Sequence, residues 1–335
     1  MPQQNFNIPG FLVYKEPLKY RIKDDMSKIS IGIMLSYLII TVISLVVSVL
    51  DIESFLDIGN ETTTALLYIL NGIALLIALP LGAFIICRIS DTYLSDCIVI
   101  KRVPAKKTAL LVISGLGICM LANYMVEMLA VIAGTTGINI SSQTMELSMK
   151  FTSPGTLGTM LISVAIVPAL AEEFMFRGVV LTILRKYGDT FAIFISSLLF
   201  GLLHGNFVQT PFAFVVGLVL GFITVYTGSM LPSMIIHCLN NSISIIITYL
   251  NNNIELEAVT EVIYVSVSVI IAAVGLVSLF VLSKSDRHMF SLESGAAELS
   301  FSKKVRAAIS EPWTLVFISI MLASSVVILV GASFV

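Results

Sequence analysis

Charge is what this sequence has least of: only 12% of its 335 residues are Asp, Glu, Lys or Arg, about half the share of an ordinary soluble domain. That scarcity excludes a soluble globular enzyme. Basic residues number 19 against 21 acidic ones, for a formal net charge of -2, so there is no basic footprint and nucleic acid is not an expected partner. Cysteine is sparse as well: Cys87, Cys97, Cys119 and Cys238 follow no metal-ligand spacing and read as free thiols. No short apolar run followed by a cleavage site opens the chain, so a cleavable signal peptide is not expected. Histidine occurs three times, which makes the position of each one informative. What is abundant is apolar: 57% of the residues, in long uncharged runs. Each membrane-spanning helix takes roughly 20 such residues, so the expected fold is an all-α polytopic membrane protein.

Nine apolar segments stand out, at 29–50, 65–87, 108–133, 156–184, 190–205, 211–228, 231–250, 259–283 and 312–335. About nine transmembrane helices are therefore expected. Apart from Lys150 and Arg177, every Lys and Arg falls in the N-terminal segment or in an even-numbered loop. Basic residues resist translocation, which places the N-terminus in the cytosol and the C-terminus outside. The chain divides into a cytosolic N-terminal segment (1–28), N-terminal transmembrane helices (29–150), a central membrane core (151–250) and C-terminal transmembrane helices (251–335). Gly201 with Gly205, and Gly217 with Gly221, place small residues one turn apart, where neighbouring helices approach closely. The stretch 285–311 reads as a solvated loop in preference to an amphipathic helix around Ala297, Leu299, Val305 and Ala308. Asn60-Glu61-Thr62 and Asn139-Ile140-Ser141 are glycosylation acceptors only if the host is eukaryotic. The composition points to an integral, multi-pass protein of a bacterial plasma membrane.

Against this background the ionisable residues inside spans are conspicuous, because each costs roughly 2.5 to 3.5 kcal/mol at a helix centre. Glu172, Glu173, Arg177, His204 and His237 all fall in spans four to seven, so they are expected to face one another or water. Glu173 and Arg177 are four apart on one helix face, with the acid on the N-terminal side, and read as an ion pair. Glu172 is turned about 100° from Glu173. It is the free carboxylate and the candidate base. Pro168, four residues earlier, removes a backbone donor and crowds the carbonyl of Val164, which predicts a kink just before the acidic pair. His204 shares a face with Phe200, and His237 with Asn241. An Asn there fixes a ring tautomer or binds an oxyanion, and a His holds or activates water. Glu127 reads as interfacial, near Asn123 and Tyr124, and His288 as an exposed loop residue. Counting 1.5 Å per residue puts Glu172 and His204 near the midplane and His237 shallower.

Glu172, Glu173 and Arg177, then Phe200 and His204, then His237 and Asn241 resemble the EExxxR, FxxxH and HxxxN motifs of the CPBP family, the CAAX-protease and bacteriocin-processing (Abi) membrane endopeptidases. The resemblance covers about 155–250. It implies an intramembrane endopeptidase acting on membrane-associated, prenylated or leader peptides, with the lipid bilayer and such a peptide or protein as partners. It implies Glu172 as general base, His204 as its partner in activating water, His237 with Asn241 at the oxyanion, and Glu173, Arg177 and Phe200 in support. Two cofactor readings stay open: zinc on Glu172, His204 and His237, or the preferred metal-free water, since no H-E-x-x-H motif is present. Two other functions compete: a non-catalytic member in bacteriocin self-immunity or scaffolding, and a proton- or ion-coupled transporter. No repeat of the polar pattern in the other half of the chain favours the transporter.

Overall fold

The computed structural model describes residues 17–50, 60–135, 151–254, 257–295 and 298–332. Lys15, Lys150, Ala297 and the Asn139-Ile140-Ser141 triplet lie outside the described residues. No strand occurs among the described residues. The helices are α1 (Leu18–Val49), α2 (Asn60–Ile89), the short α3 (Leu94–Cys97), α4 (Ala105–Thr135) and a composite α5 (Pro154–Tyr187). Then follow α6 (Asp189–Leu203), α7 (Gln209–Thr227), α8 (Leu231–Asn253), α9 (Glu257–Ser285), α10 (Phe301–Ile309) and α11 (Pro312–Ala332). The protein is an all-α, multi-pass membrane protein.

Among the described residues, eight helices are long and apolar enough to cross a membrane. Each of the nine expected segments is helical over most of its described residues, but the fifth, α6, has only 15 residues, about 22 Å of helix against about 30 Å of hydrocarbon. At the other extreme, α1 begins at Leu18 rather than near 29. The reason is a helical repeat running through the polar segment: Leu18, Ile22, Met26, Ile29 and Ile33 are all buried on one face. The polar side of the same turns is tied down as well. Asp25 pairs with Lys186 at 2.6 Å and accepts from the Tyr187 hydroxyl at the end of α5.

The core runs through α5 and α6, which pack against α1, α2, α10 and α11. The α6–α7 hairpin closes through the expected small residues. A Cβ on Gly201 would come within 2.8 Å of the Thr210 carbonyl, and one on Gly217 within 2.9 Å of the Ser197 Cβ. All four cysteines are free thiols, with Cys87 and Cys97 in sulfur contact at 3.7 Å.

The stretch 285–311 corrects the expectation of a plain loop. Residues Phe301–Ile309 form α10, an amphipathic helix with Lys304, Ala307 and Ala308 buried, and Leu299 and Val305 pack onto the core. Lys304 Nζ donates to the carbonyls of Tyr187 (2.7 Å) and Ser294 (3.2 Å). The Asp189 and Glu293 segments exchange two hydrogen bonds, at 2.9 and 3.1 Å. Gly188, at φ +116°, permits this docking: a Cβ there would stand 2.5 Å from the Ser294 carbonyl. The apolar residues of 285–311 found a receiving surface at the α5–α6 turn, and a pattern along one segment carries no information about such a surface.

Candidate active site

The local chemistry of α5 explains why its middle carries the site. Ser153 caps it, accepting from the Thr156 amide at 3.1 Å, with Pro154 at the first helical position. The helix then alternates: a π-helical turn at Leu161–Ile166, α-helix at Val167–Glu173, and a second π-helical stretch at Phe174–Val180. Such turns are rare and occur frequently at functional sites. The first precedes Pro168, whose missing N–H and ring bulk disfavour the regular i to i+4 ladder, and it stands where the kink is expected. The second follows Glu173 directly. Gly178 lies within it, where a Cβ would meet the Cys97 carbonyl at 2.9 Å, and the α3 backbone therefore lies directly on the helix that bears the acidic pair.

The two adjacent glutamates have different environments, as their helical angles predict. Glu173 is fully buried beside a buried Arg177, with Arg177 Nη1 at 2.9 Å from Glu173 Oε1. That approach is a close ion pair without hydrogen-bond geometry, and Glu173 Oε2 receives no donor among the described residues. Arg177 Nη2 donates to the Gly217 carbonyl at 3.4 Å, and its guanidinium lies over the Phe200 ring, 4.3 Å from the centroid. Glu173 also has a partner that its spacing to Arg177 does not announce. Its Oε1 lies 3.0 Å from His237 Nδ1. A carboxylate accepts, so Nδ1 carries the proton, and the ring presents Nε2 to the other side.

On that other side is Glu172, with 12% of its side chain exposed against none for Glu173, and its Oε2 3.6 Å from His237 Nε2. This is beyond direct hydrogen-bond length. His204 ends α6, and its Nδ1 lies 3.0 Å from the Phe200 carbonyl. Since a carbonyl only accepts, the proton is on Nδ1 and the lone pair of the neutral ring is on Nε2. Phe200 joins the cluster edge-on to both rings, at 5.1 Å from His204 and 5.8 Å from His237. Asn241 points to the backbone of α5: its Nδ2 donates to the Val164 carbonyl at 3.2 Å. The structure thus joins Glu172, Glu173, Arg177, Phe200 and His237 by direct contact, attaches His204 through Phe200, and ties Asn241 to the turn before Pro168. The contact of Glu172 is with His237, not with His204.

The zinc set does not form a cage here. Among the described residues, no three His, Cys, Asp or Glu side chains are placed to hold one metal ion. Glu172 and His237 approach each other, and His204 keeps its Nε2 free of the carbonyl of its own helix. Glu127 is exposed on α4, as is His288 beyond α9. Asn123, near Glu127, donates to the Tyr264 hydroxyl at 2.5 Å. A cavity of ≈ 530 Å³ lies elsewhere, at the basic-loop end of the bundle, lined by Asp96, Lys101, Thr182, Arg185 and Glu293 among others. None of the site residues lines it.

Sequence reasoning missed three parts of this site: the Glu173–His237 contact, the π-helical stretch at 174–180, and the Asn241–Val164 tether. The acceptor in that tether, the carbonyl facing Pro168, was legible; its donor, 77 residues away, was not. Residues 154–243 match the family model described as type II CAAX prenyl endopeptidase Rce1-like. This span contains every residue of the site, from Glu172 to Asn241. No curated protein and no solved structure matches the chain.

Proposed function

With residues 154–243 assigned to the CPBP/CAAX protease family, we propose that the protein is an intramembrane endopeptidase that hydrolyses a peptide bond of a membrane-associated substrate. The observation that carries this reading is the division of labour between adjacent glutamates. Glu173 is locked between Arg177 and His237, while Glu172 keeps some exposure and lies 3.6 Å from His237 Nε2. A carboxylate left outside the ion pair is the one free to take a proton.

In this mechanism Glu172 accepts a proton from a water molecule, with the Nε2 lone pair of His204 orienting the same water. The hydroxide attacks the scissile carbonyl carbon, and its π electrons move to oxygen. The second N–H of Asn241 and, when the ring is doubly protonated, the Nε2–H of His237 are the donors for that oxyanion. Collapse of the tetrahedral intermediate breaks the C–N bond, and the proton held by Glu172 passes to the departing amine. Glu173 and Arg177 do not touch the reacting atoms; they set the ring of His237. The substrate class is a peptide tethered to the bilayer, prenylated or leader-bearing, and the setting is a bacterial plasma membrane with the basic loops in the cytosol.

The test is cleavage of a membrane-anchored reporter peptide by purified protein in lipid, alongside Glu172→Gln and His204→Ala. Loss of about 10²- to 10⁴-fold in kcat for Glu172→Gln is expected. Cleavage that survives both substitutions overturns the assignment, and ion flux abolished by them favours a transporter instead.

A further inference from the structure

Pro168 leaves the Val164 carbonyl without the donor that an ordinary residue four positions on would provide. The carbonyl is in a span, where a backbone acceptor without a partner costs several kcal/mol and no lipid group replaces it. The structure brings a donor to this carbonyl from another helix: Asn241 Nδ2, at 3.2 Å. Which end of the amide faces the carbonyl is decided by chemistry, since a carbonyl cannot donate and only the amide nitrogen can. The other end is occupied too. Asn240 Nδ2 donates to Asn241 Oδ1 at 3.3 Å, so the amide is held on both sides.

The position of this bond matters more than its strength. Val164 lies in the π-helical turn Leu161–Ile166, Pro168 in the following α segment, and Glu172 one turn beyond Pro168. Asn241 lies one turn beyond His237 on α8. One face of α8 therefore grips α5 twice, through His237 at the acidic pair and through Asn241 at the irregular turn before it. The direction of α5 between these grips sets where the Glu172 carboxylate points.

We infer that Asn241 is a positioning residue: it stands in for the backbone donor that Pro168 lacks, and so fixes the turn that aims Glu172. The inference rests on the endopeptidase reading for its kinetic consequence, but not for its structural one. It differs from a role confined to the oxyanion in one respect. A direct oxyanion donor is needed whatever residue occupies position 168, whereas a stand-in donor is redundant once position 168 has its own N–H.

Four proteins test this: the wild type, Asn241→Ala, Pro168→Ala and the double variant. Reporter-peptide kinetics and amide hydrogen exchange over 161–173 are measured on each. In the Pro168 background, Asn241→Ala is expected to lower kcat about 10- to 100-fold, as small misplacements of a catalytic group do, with KM little changed. It is also expected to speed exchange at the turn. In the Pro168→Ala background both effects should shrink to within about threefold, because position 168 then has a backbone N–H of its own to meet the Val164 carbonyl. An equal kcat loss in both backgrounds, with exchange at 161–173 unaltered, overturns the inference and makes Asn241 an oxyanion donor alone. Should the wild type cleave nothing, the endopeptidase reading fails, and the exchange comparison still decides the role of Asn241. Exchange unchanged by Asn241→Ala then rejects it.

Discussion

Helices α5 and α9 are both long enough to cross a bilayer, with 34 and 28 residues in their apolar spans, but they solve different problems. α9 is uninterrupted over Glu257–Ser285 and exposes Val262, Val269, Ile270, Val277 and Phe280. It meets α4 where Gly117 and Gly275 bring the two backbones together, so that a Cβ on either glycine would stand within 2.8 Å of the other's Cα. α5 carries a proline, two π-helical stretches and three charged side chains in its middle. Lipid accepts only a backbone that satisfies itself, whereas a backbone enclosed by protein can borrow donors from neighbours. Among the described residues, π-helical stretches occur only in the helix whose partners supply Asn241, His237 and the Gly217 carbonyl.

The sharpest way to break the comparison is to neutralise an acid on each helix. Glu172→Gln on α5 should remove reporter cleavage by about 10²- to 10⁴-fold, while Glu261→Gln, at an exposed position of α9, should leave kcat and KM as they are. Removing one partner of the buried pair should act on stability instead. Arg177→Met leaves Glu173 charged with His237 as its remaining partner, and a loss of about 3–5 kcal/mol is expected in unfolding from mixed micelles. Adding Glu173→Gln should recover part of it. Crowding the α4–α9 contact is a smaller insult: Gly275→Leu should cost about 1–3 kcal/mol. Its activity per folded molecule should be unchanged.

The last expected effect appears only at alkaline pH and concerns Cys97, outside the spans but against Gly178 of α5. Burial first, and then the neighbouring Cys87, push its thiol up to about 12 from the ordinary 9. An acid whose folded pKa is raised contributes stability that is complete below its unfolded pKa and is lost as pH rises through the folded value. Alkaline destabilisation between about pH 9 and 12 should thus be weaker in Cys97→Ala than in the wild type, read as the change in Tm with pH.

What was legible in the sequence follows from what is periodic or costly. Apolar runs marked every spanning helix, and the expense of charge in hydrocarbon singled out Glu172, Glu173, Arg177, His204 and His237. The four-residue spacing of Glu173 and Arg177 predicted their ion pair, and Pro168 marked the place where α5 departs from α-helix. What was not legible depends on pairs far apart in the chain. Neither the Glu173–His237 contact nor the Asn241–Val164 tether follows from the local pattern on either helix. The α10 segment shows the same limit in another form, since its amphipathic face had a meaning only once the α5–α6 turn was there to receive it.

The brevity of α6 bears on how the proposed hydrolysis would obtain its water. A helix about 22 Å long falls roughly 8 Å short of the hydrocarbon thickness, and it is His204 that terminates it. The turn that follows is polar, with Asn206 donating to the Gln209 side chain and accepting from the Val208 and Gln209 amides. A bilayer meets such a shortfall by thinning, or polar groups at the short end draw water inward. Both shorten the dry path between bulk water and the end of α6, so the length of this one helix is also a setting of local hydration.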